Sequence, residues 1–322
     1  MSIINDVHQA VRFADKIGQS KKGFREQGKF NFIHSKSQKS KATRIGKEFA
    51  NFCRENYGVR KLHNANEQHY RHFLATKHET SLGHQRNIET ALQQIQKGLQ
   101  ERAEKYNKEF KPFMTERLIP TAKRGESVSD RSYTPEVINS IKNGGVTDNT
   151  KVAIELMSNL GMRVSEATSV KVENINFERS VVSVIGKGGL YREIPLENDF
   201  KQYLGHLTEN MDKHERLVKT DAKTVSDNCK VIADKQDIKN WTGTHGFRHS
   251  YARNEVDRLM SREEKQMFER CIENYAGGKN FDYGIKNHEN ELYNSMKSKM
   301  DAVHGNLGHG KNRFDLALRY MK

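Results

Sequence analysis

The sequence predicts a mainly α protein of two domains, with one small β-sheet in the second. Three observations lead there. The chain has 322 residues, and at roughly 150 residues per domain that makes two. Apolar residues recur at helical spacing through most of it. The period shortens to that of strands once, over residues 177–196, where Val182 and Val184, then Leu190, Arg192 and Ile194, flank the turn Gly186-Lys187-Gly188-Gly189.

Residues 1–32 mix Val11, Phe13, Phe24 and Phe30 with Lys16, Lys21, Lys22, Arg25 and Lys29, as an N-terminal basic arm or helix would. Residues 33–111 read as a small basic helical domain. Within it Ile45, Phe49 and Phe52 mark a helix over 40–57 with Gly58 as its stop. Tyr70, Phe73 and Leu74 mark a second helix over 65–77, and Ile88, Leu92, Ile95 and Leu99 a third over 81–106. Residues 112–132 hold Pro112, Pro120 and the polar run from Lys123 to Ser132, which make the stretch the expected linker. The second domain is expected over 133–322. Thr134 caps a helix with Pro135 in its first turn. A helix over 150–160 ends at Gly161, another begins near Val164, and helical spacing returns over 216–236 and 246–260. Residues 261–300 are highly charged and read as an insertion, and 311–322 form a short amphipathic end.

Composition narrows the function. Lys and Arg number 55 against 41 Asp and Glu, a net charge of +14. Residues 1–125 carry a net +13 and residues 126–322 a net +1. A basic domain beside a nearly neutral one suits a nucleic-acid clamp attached to a working domain. Lys36, Lys39, Lys41, Arg44 and Arg86 are the candidate phosphate contacts in the basic part. No apolar run approaches the roughly 18 residues of a membrane span, and the N-terminus lacks the apolar stretch of a secretion signal. Three scattered cysteines, Cys53, Cys229 and Cys271, suggest reduced thiols in a cytoplasmic protein. Their spacing and that of the 14 histidines match no metal site, so neither metal nor cofactor is expected.

The chemistry lies in four short pieces: Arg163-Val-Ser-Glu166, the turn holding Lys187, His245-Gly-Phe-Arg248, and Leu307-Gly308-His309 followed eleven residues later by Tyr320. Each alone has an ordinary explanation, and the order and spacing of the set carry the signal. Two arginines and two histidines can surround a phosphodiester with charge-assisted hydrogen bonds. A lysine on a hairpin can protonate a leaving oxygen. A tyrosine hydroxyl can attack phosphorus and hold it covalently.

In these motifs the sequence resembles the tyrosine recombinases, the phage integrase family, and specifically its mobile-element and genomic-island branch. The resemblance implies a helical, SAM-like core-binding domain joined to a mainly α catalytic domain with a small sheet. It implies that Arg163 and Arg248 clamp the scissile phosphate and that Lys187 is the general acid. His245 would move a proton, His309 would hydrogen-bond the phosphate, Tyr320 would be the nucleophile, and Glu166 would orient its neighbours. It further implies double-stranded DNA with a partly palindromic core site, a homotetramer on two such sites, a Holliday junction, and possible accessory bending or directionality proteins.

Two departures matter. The family's gap from the last His to the Tyr is about nine residues, and here it is eleven. One unbroken helix would hold His309 and Tyr320 about 16 Å apart, so a break near Gly310-Lys311-Asn312 is required. Two residues follow Tyr320, so contacts between protomers are expected from elsewhere. Competing readings are a Xer-like dimer resolvase, a type IB topoisomerase, and a DNA-binding regulator without chemistry. The last leaves the spacing of Arg163, Lys187, His245, Arg248 and His309 unexplained.

Overall fold

The computed structural model describes residues 2–121, 129–186 and 189–321. The chain forms two compact units, Met1–Ala122 and Lys123–Lys322.

The first unit contains α1 (Ile3–Ala14), α2 (Lys21–Glu26), α3 (Lys36–Tyr57), α4 (Glu67–Ala75) and α5 (Leu82–Lys105). Each starts where a short polar side chain, Ser2, Ser20, Ser35, Asn66 or Ser81, accepts a hydrogen bond from a first-turn backbone N–H. The core joins Val7 and Val11 of α1, Ile45 and Phe49 of α3, Tyr70 and Phe73 of α4, and Ile88, Leu92 and Ile95 of α5. Residues 3–14 are thus a core helix. Buried Asp6 ties it down further, accepting from the Leu62 amide at 3.1 Å and from Arg102 at 3.3 Å. Two glycines allow the close approach: a Cβ on Gly98 would lie 1.8 Å from the Ala10 carbonyl oxygen, and one on Gly46 would lie 2.7 Å from Val7.

The stretch expected as a linker over 112–132 begins inside this unit. Phe113 and Met114 are buried in its core. Side chains of α5 supply the backbone partners that a strandless segment lacks. Gln96 accepts from the Met114 amide and donates to its carbonyl, both at 2.8 Å. Glu89 accepts from the Leu118 and Ile119 amides at 2.7 and 3.2 Å, and from the Tyr70 hydroxyl at 2.6 Å.

The second unit contains α6 (Pro135–Asn143), α7 (Asp148–Leu160), α8 (Val164–Ala167), β1 (Ile175–Asn176), β2 (Val181–Ile185), β3 (Tyr191–Pro195), α9 (Asn198–Thr208), α10 (Ala222–Lys235), α11 (His245–Leu259), α12 (Arg262–Ala276), α13 (Asn290–Asn306) and α14 (Phe314–Tyr320). The strands form an antiparallel sheet in the order β1-β2-β3. The expected helix over 216–236 begins only at Ala222, because Asp221 caps it there, and Leu217 and Val218 ahead of it are buried outside the helix.

Two cores meet on α11. One gathers α6, α7, α10 and the sheet around residues such as Ile154, Leu156, Val182, Ile194 and Phe247. The other gathers Tyr251 and Val256 of α11 with Phe268 of α12, Met296 and Met300 of α13, and Leu318 of α14. The charged stretch 261–300 therefore carries an apolar face packed into this second core. Gly161 ends α7 in the left-handed region, at φ +59°, and a Cβ there would meet the Tyr251 ring at 2.4 Å. No described helix is long and apolar enough to cross a membrane.

The α1–α5 contact is testable by Gly98→Ala. Helix propensity alone favours alanine by about 1 kcal/mol, while forcing backbone apart in a packed core costs about 1–3 kcal/mol. The contact geometry predicts net destabilisation in urea unfolding of the full chain; an unchanged or raised midpoint contradicts it.

Candidate active site

The site forms where the two cores of the second unit meet. Arg163 follows the turn at Gly161 and sits at the N-cap of α8. Glu166, one turn on, is buried and bonds back to it. Its Oε2 accepts from the Arg163 backbone N–H at 2.9 Å, and its Oε1 from the Arg163 guanidinium at 2.7 Å. Arg192 completes the cage. It stands on β3 opposite Val184, on the inner face of the sheet. It donates to Glu166 Oε2 at 2.7 Å and Oε1 at 3.3 Å, and to the Asn306 carbonyl at 2.8 Å. Burial works to raise the Glu166 pKa, but the bonds from Arg192 and Arg163 outweigh it and hold the carboxyl at about 2.

Arg248, in the first turn of α11, has no exposed surface. It donates to the Gly161 carbonyl at 2.5 Å and to the Leu307 carbonyl, and its Nη2 lies 3.2 Å from His309 Nε2. Its Nη1 is 3.9 Å from Glu166, and its Nε has no partner among the described residues. Burial and the nearby Arg163 lower its pKa to about 10, so it stays charged at neutral pH. Three guanidiniums around one carboxylate leave an excess of positive charge, the electrostatics of an anion site.

The required break after His309 is present. α13 stops at Asn306, Gly308 and Asn312 take positive φ of 65° and 58°, and α14 begins afresh at Phe314. This turn returns Tyr320 to His309, with ring centroids 5.1 Å apart. The Tyr320 hydroxyl lies 2.5 Å from His245 Nε2. The Tyr320 ring stacks on His249 at 4.1 Å and lies 5.9 Å from the Arg248 guanidinium. Tyr251, three residues after Arg248, is buried and accepts from Asn306 at 2.9 Å.

Arg163, Glu166, His245, Arg248, His309 and Tyr320 thus come together. Lys187 lies outside the described residues. Three further members were not singled out from the sequence: Arg192, His249 and His304. Arg192 had a signal, a cation in phase with Val184 and Ile194 on an inward-facing strand position. Among the described residues no group of three or more His, Cys, Asp or Glu is placed to hold a metal ion. In the other unit Lys36, Lys39, Lys41 and Arg44 are exposed on α3. Lys39 pairs with Asp15 at 2.7 Å and Arg44 with Glu48 at 2.6 Å. Arg86 is turned to the Ile119 carbonyl and the Thr121 hydroxyl, both at 2.9 Å.

Burial and neighbouring cations hold the histidines neutral. His245 and His304 are lowered from 6.5 to about 4, and His249 and His309 to about 3. The unfolded chain takes up these protons near 6.5 and the folded chain only near 3–4. Folding stability is therefore full above the higher value and lost as pH falls towards the lower. Glu166 stays ionised through that window. The melting temperature is expected to fall steadily between about pH 7 and pH 4.5; a flat profile contradicts the assignment of neutral histidines.

Residues 134–266 match the family model of the phage integrase family. Over 119 residues the chain is 32% identical to the tyrosine recombinase XerA of Pyrococcus furiosus, covering 34% of this chain and 41% of that protein. The matched stretch thus spans about two fifths of that relative's length. The fold is shared with the Tn1549 transposon integrase in complex with a circular intermediate DNA, at a TM-score of 0.56 and 11% identity, covering 100% of this chain and 95% of that one. It is shared too with a lambda integrase tetramer bound to a Holliday junction, at a TM-score of 0.56 and 13% identity, covering 97% and 79%. Residues 134–266, which hold Arg163, Glu166, His245 and Arg248, thus carry the match to the phage integrase family, and a tyrosine recombinase is among the proteins the chain is similar to.

Proposed function

We propose that the chain is a site-specific DNA recombinase that integrates or excises a mobile element through a 3′-phosphotyrosyl intermediate and a Holliday junction. The observation that carries this is the Tyr320 hydroxyl, 2.5 Å from the Nε2 of a histidine held neutral by burial and beside a buried arginine. A neutral His245 has a lone pair to accept the Tyr320 proton as the oxygen attacks phosphorus. Arg163 and Arg248 offset charge on the non-bridging oxygens, where positioning and electrostatics supply most of the catalysis. His309 hydrogen-bonds the same phosphate, and Glu166 keeps Arg163 and Arg192 in place. Lys187, which lies in sequence between β2 and β3, protonates the departing 5′ oxygen. The phosphotyrosyl link conserves the energy of the broken phosphodiester, so attack by a second 5′-hydroxyl reseals DNA without a nucleotide, cofactor or metal.

The substrate is double-stranded DNA with a partly palindromic core site, held by a homotetramer on two sites. Three features support this: the net positive charge of residues 1–125, the DNA in the Tn1549 integrase complex, and the junction-bound tetramer of lambda integrase. The exposed cations of α3, Lys36 and Lys41 foremost, contact phosphates, which position a protein without specifying sequence. Accessory bending or directionality proteins fit such an assembly, and the protein works in the cytoplasm on the nucleoid. A second reading, a Xer-like dimer resolvase, is favoured by the identity to XerA and shares every chemical step.

The test is a trapping assay: full chain with fragmented host DNA in EDTA, stopped with detergent, and the bound DNA sequenced. The proposal expects adducts at one short, partly palindromic sequence, lost with Tyr320→Phe while DNA binding is retained. A site at an element boundary supports integration, and one at the chromosome-dimer locus supports resolution. Adducts scattered over all sequences, or none at all, contradict site-specific recombination by this chain alone.

A further inference from the structure

His249 lies one turn beyond His245 on α11, is buried, and takes no part in the steps above. Side chains four residues apart on a helix are neighbours on one face, and here that face meets the last turn of α14. The His249 ring lies flat on the Tyr320 ring, with centroids 4.1 Å apart and planes 7° from parallel. The same ring stands edge-on to His245, at 5.4 Å and 73°. His249 therefore touches both partners of the short bond between the Tyr320 hydroxyl and His245 Nε2. The other rings around Tyr320 meet it edge to face, His245 at 5.5 Å and 71°, His309 at 5.1 Å and 65°. Among the described residues, His249 is the one aromatic ring stacked on it.

We propose that His249 is a positioning residue: its flat face limits the swing of the Tyr320 ring and so aims the hydroxyl. A phenol oxygen lies on the axis that runs from Cβ through the ring, so spinning the ring about that axis leaves the oxygen in place. Swinging the ring about the Cα–Cβ bond moves it, and so does a shift of α14. That helix has seven residues and follows the left-handed turns at Gly308 and Asn312. A helix so short is marginal on its own, so the aim depends on what the ring packs against. A plate on the ring face blocks the swing, and the bond to His245 holds the oxygen end. Burial above all, then His245, Arg131 and Arg253, keep His249 uncharged, with its pKa lowered to about 3. The plate therefore adds no further charge to a site already rich in cations. What Tyr320 attacks rests on the recombinase reading; the stack and its hold on the ring do not. Attack on phosphorus tolerates little error of aim, since a displacement of about 1 Å costs about a hundredfold in rate.

Two variants and two readouts test this in the full chain. His249→Phe keeps a flat ring, and His249→Leu fills the space without one; both remove the ring nitrogens. NMR of the DNA-free protein, labelled with carbon-13 in its tyrosine rings, reports the stack. The Tyr320 signal is identified by its loss in Tyr320→Phe. Single-turnover cleavage of a trapped site reports the aim. The wild type is expected to show Tyr320 ring protons shifted upfield by the facing ring, a shift kept in His249→Phe and lost in His249→Leu. Cleavage by His249→Leu slows about tenfold or more with DNA affinity unchanged, and His249→Phe recovers most of that loss. A wild-type Tyr320 signal without the upfield shift overturns the proposal. So does wild-type cleavage by His249→Leu, or equal loss in both variants, which marks a merely structural role. Should the wild type form no adduct, the recombinase reading fails, while the NMR result still decides whether His249 holds the Tyr320 ring.

Discussion

The second unit is organised around one buried charge. The Arg248 guanidinium reaches the Gly161 carbonyl at the end of α7, the Leu307 carbonyl at the end of α13, and the ring of His309. Helix C-terminal carbonyls are the groups an α-helix leaves unpaired, and a cation is well placed beside them. One side chain therefore closes two helix ends and sets the turn from which Tyr320 is reached. An isolated buried charge is costly. Here two carbonyls and the more distant Glu166 offset part of that cost, while the unpartnered Nε marks what they leave over.

The surrounding groups follow from the same constraint. With Arg163 and Arg192 both engaged by Glu166, Arg248 and its neighbours lie in a region of positive potential. That potential adds to desolvation in keeping His245 and His309 neutral. Neutral rings carry lone pairs, and a lone pair on His245 Nε2 is what a tyrosine hydroxyl needs beside it.

Much of the site was legible in the sequence because its members lie in short motifs with strong geometric consequences. The eleven-residue step from His309 to Tyr320 demanded a broken helix, and the left-handed turns at Gly308 and Asn312 supply the break. Arg192, His249 and His304 were harder to read. Each is polar at a position whose periodicity assigns it to the core, and only the fold shows what lies opposite. The N-terminal unit was legible in its helices, capped by serine or asparagine, but not in its packing of α1 or of Phe113 and Met114. Those contacts depend on close approach at Gly98 and on Gln96 and Glu89 bonding to backbone far along the chain. No local periodicity records such pairings. Likewise, sequence could nominate Lys39, Arg44 and Arg86 as free cations, but not reveal that each already has a partner within the unit.

The claim that Arg248 holds both helix ends together is tested most directly by amide hydrogen exchange in Arg248→Lys. A single ammonium lacks the fork that reaches both carbonyls. The account predicts that protection falls together around residues 160–163 and 305–309, more than elsewhere in the unit. Unchanged protection in either segment would contradict it.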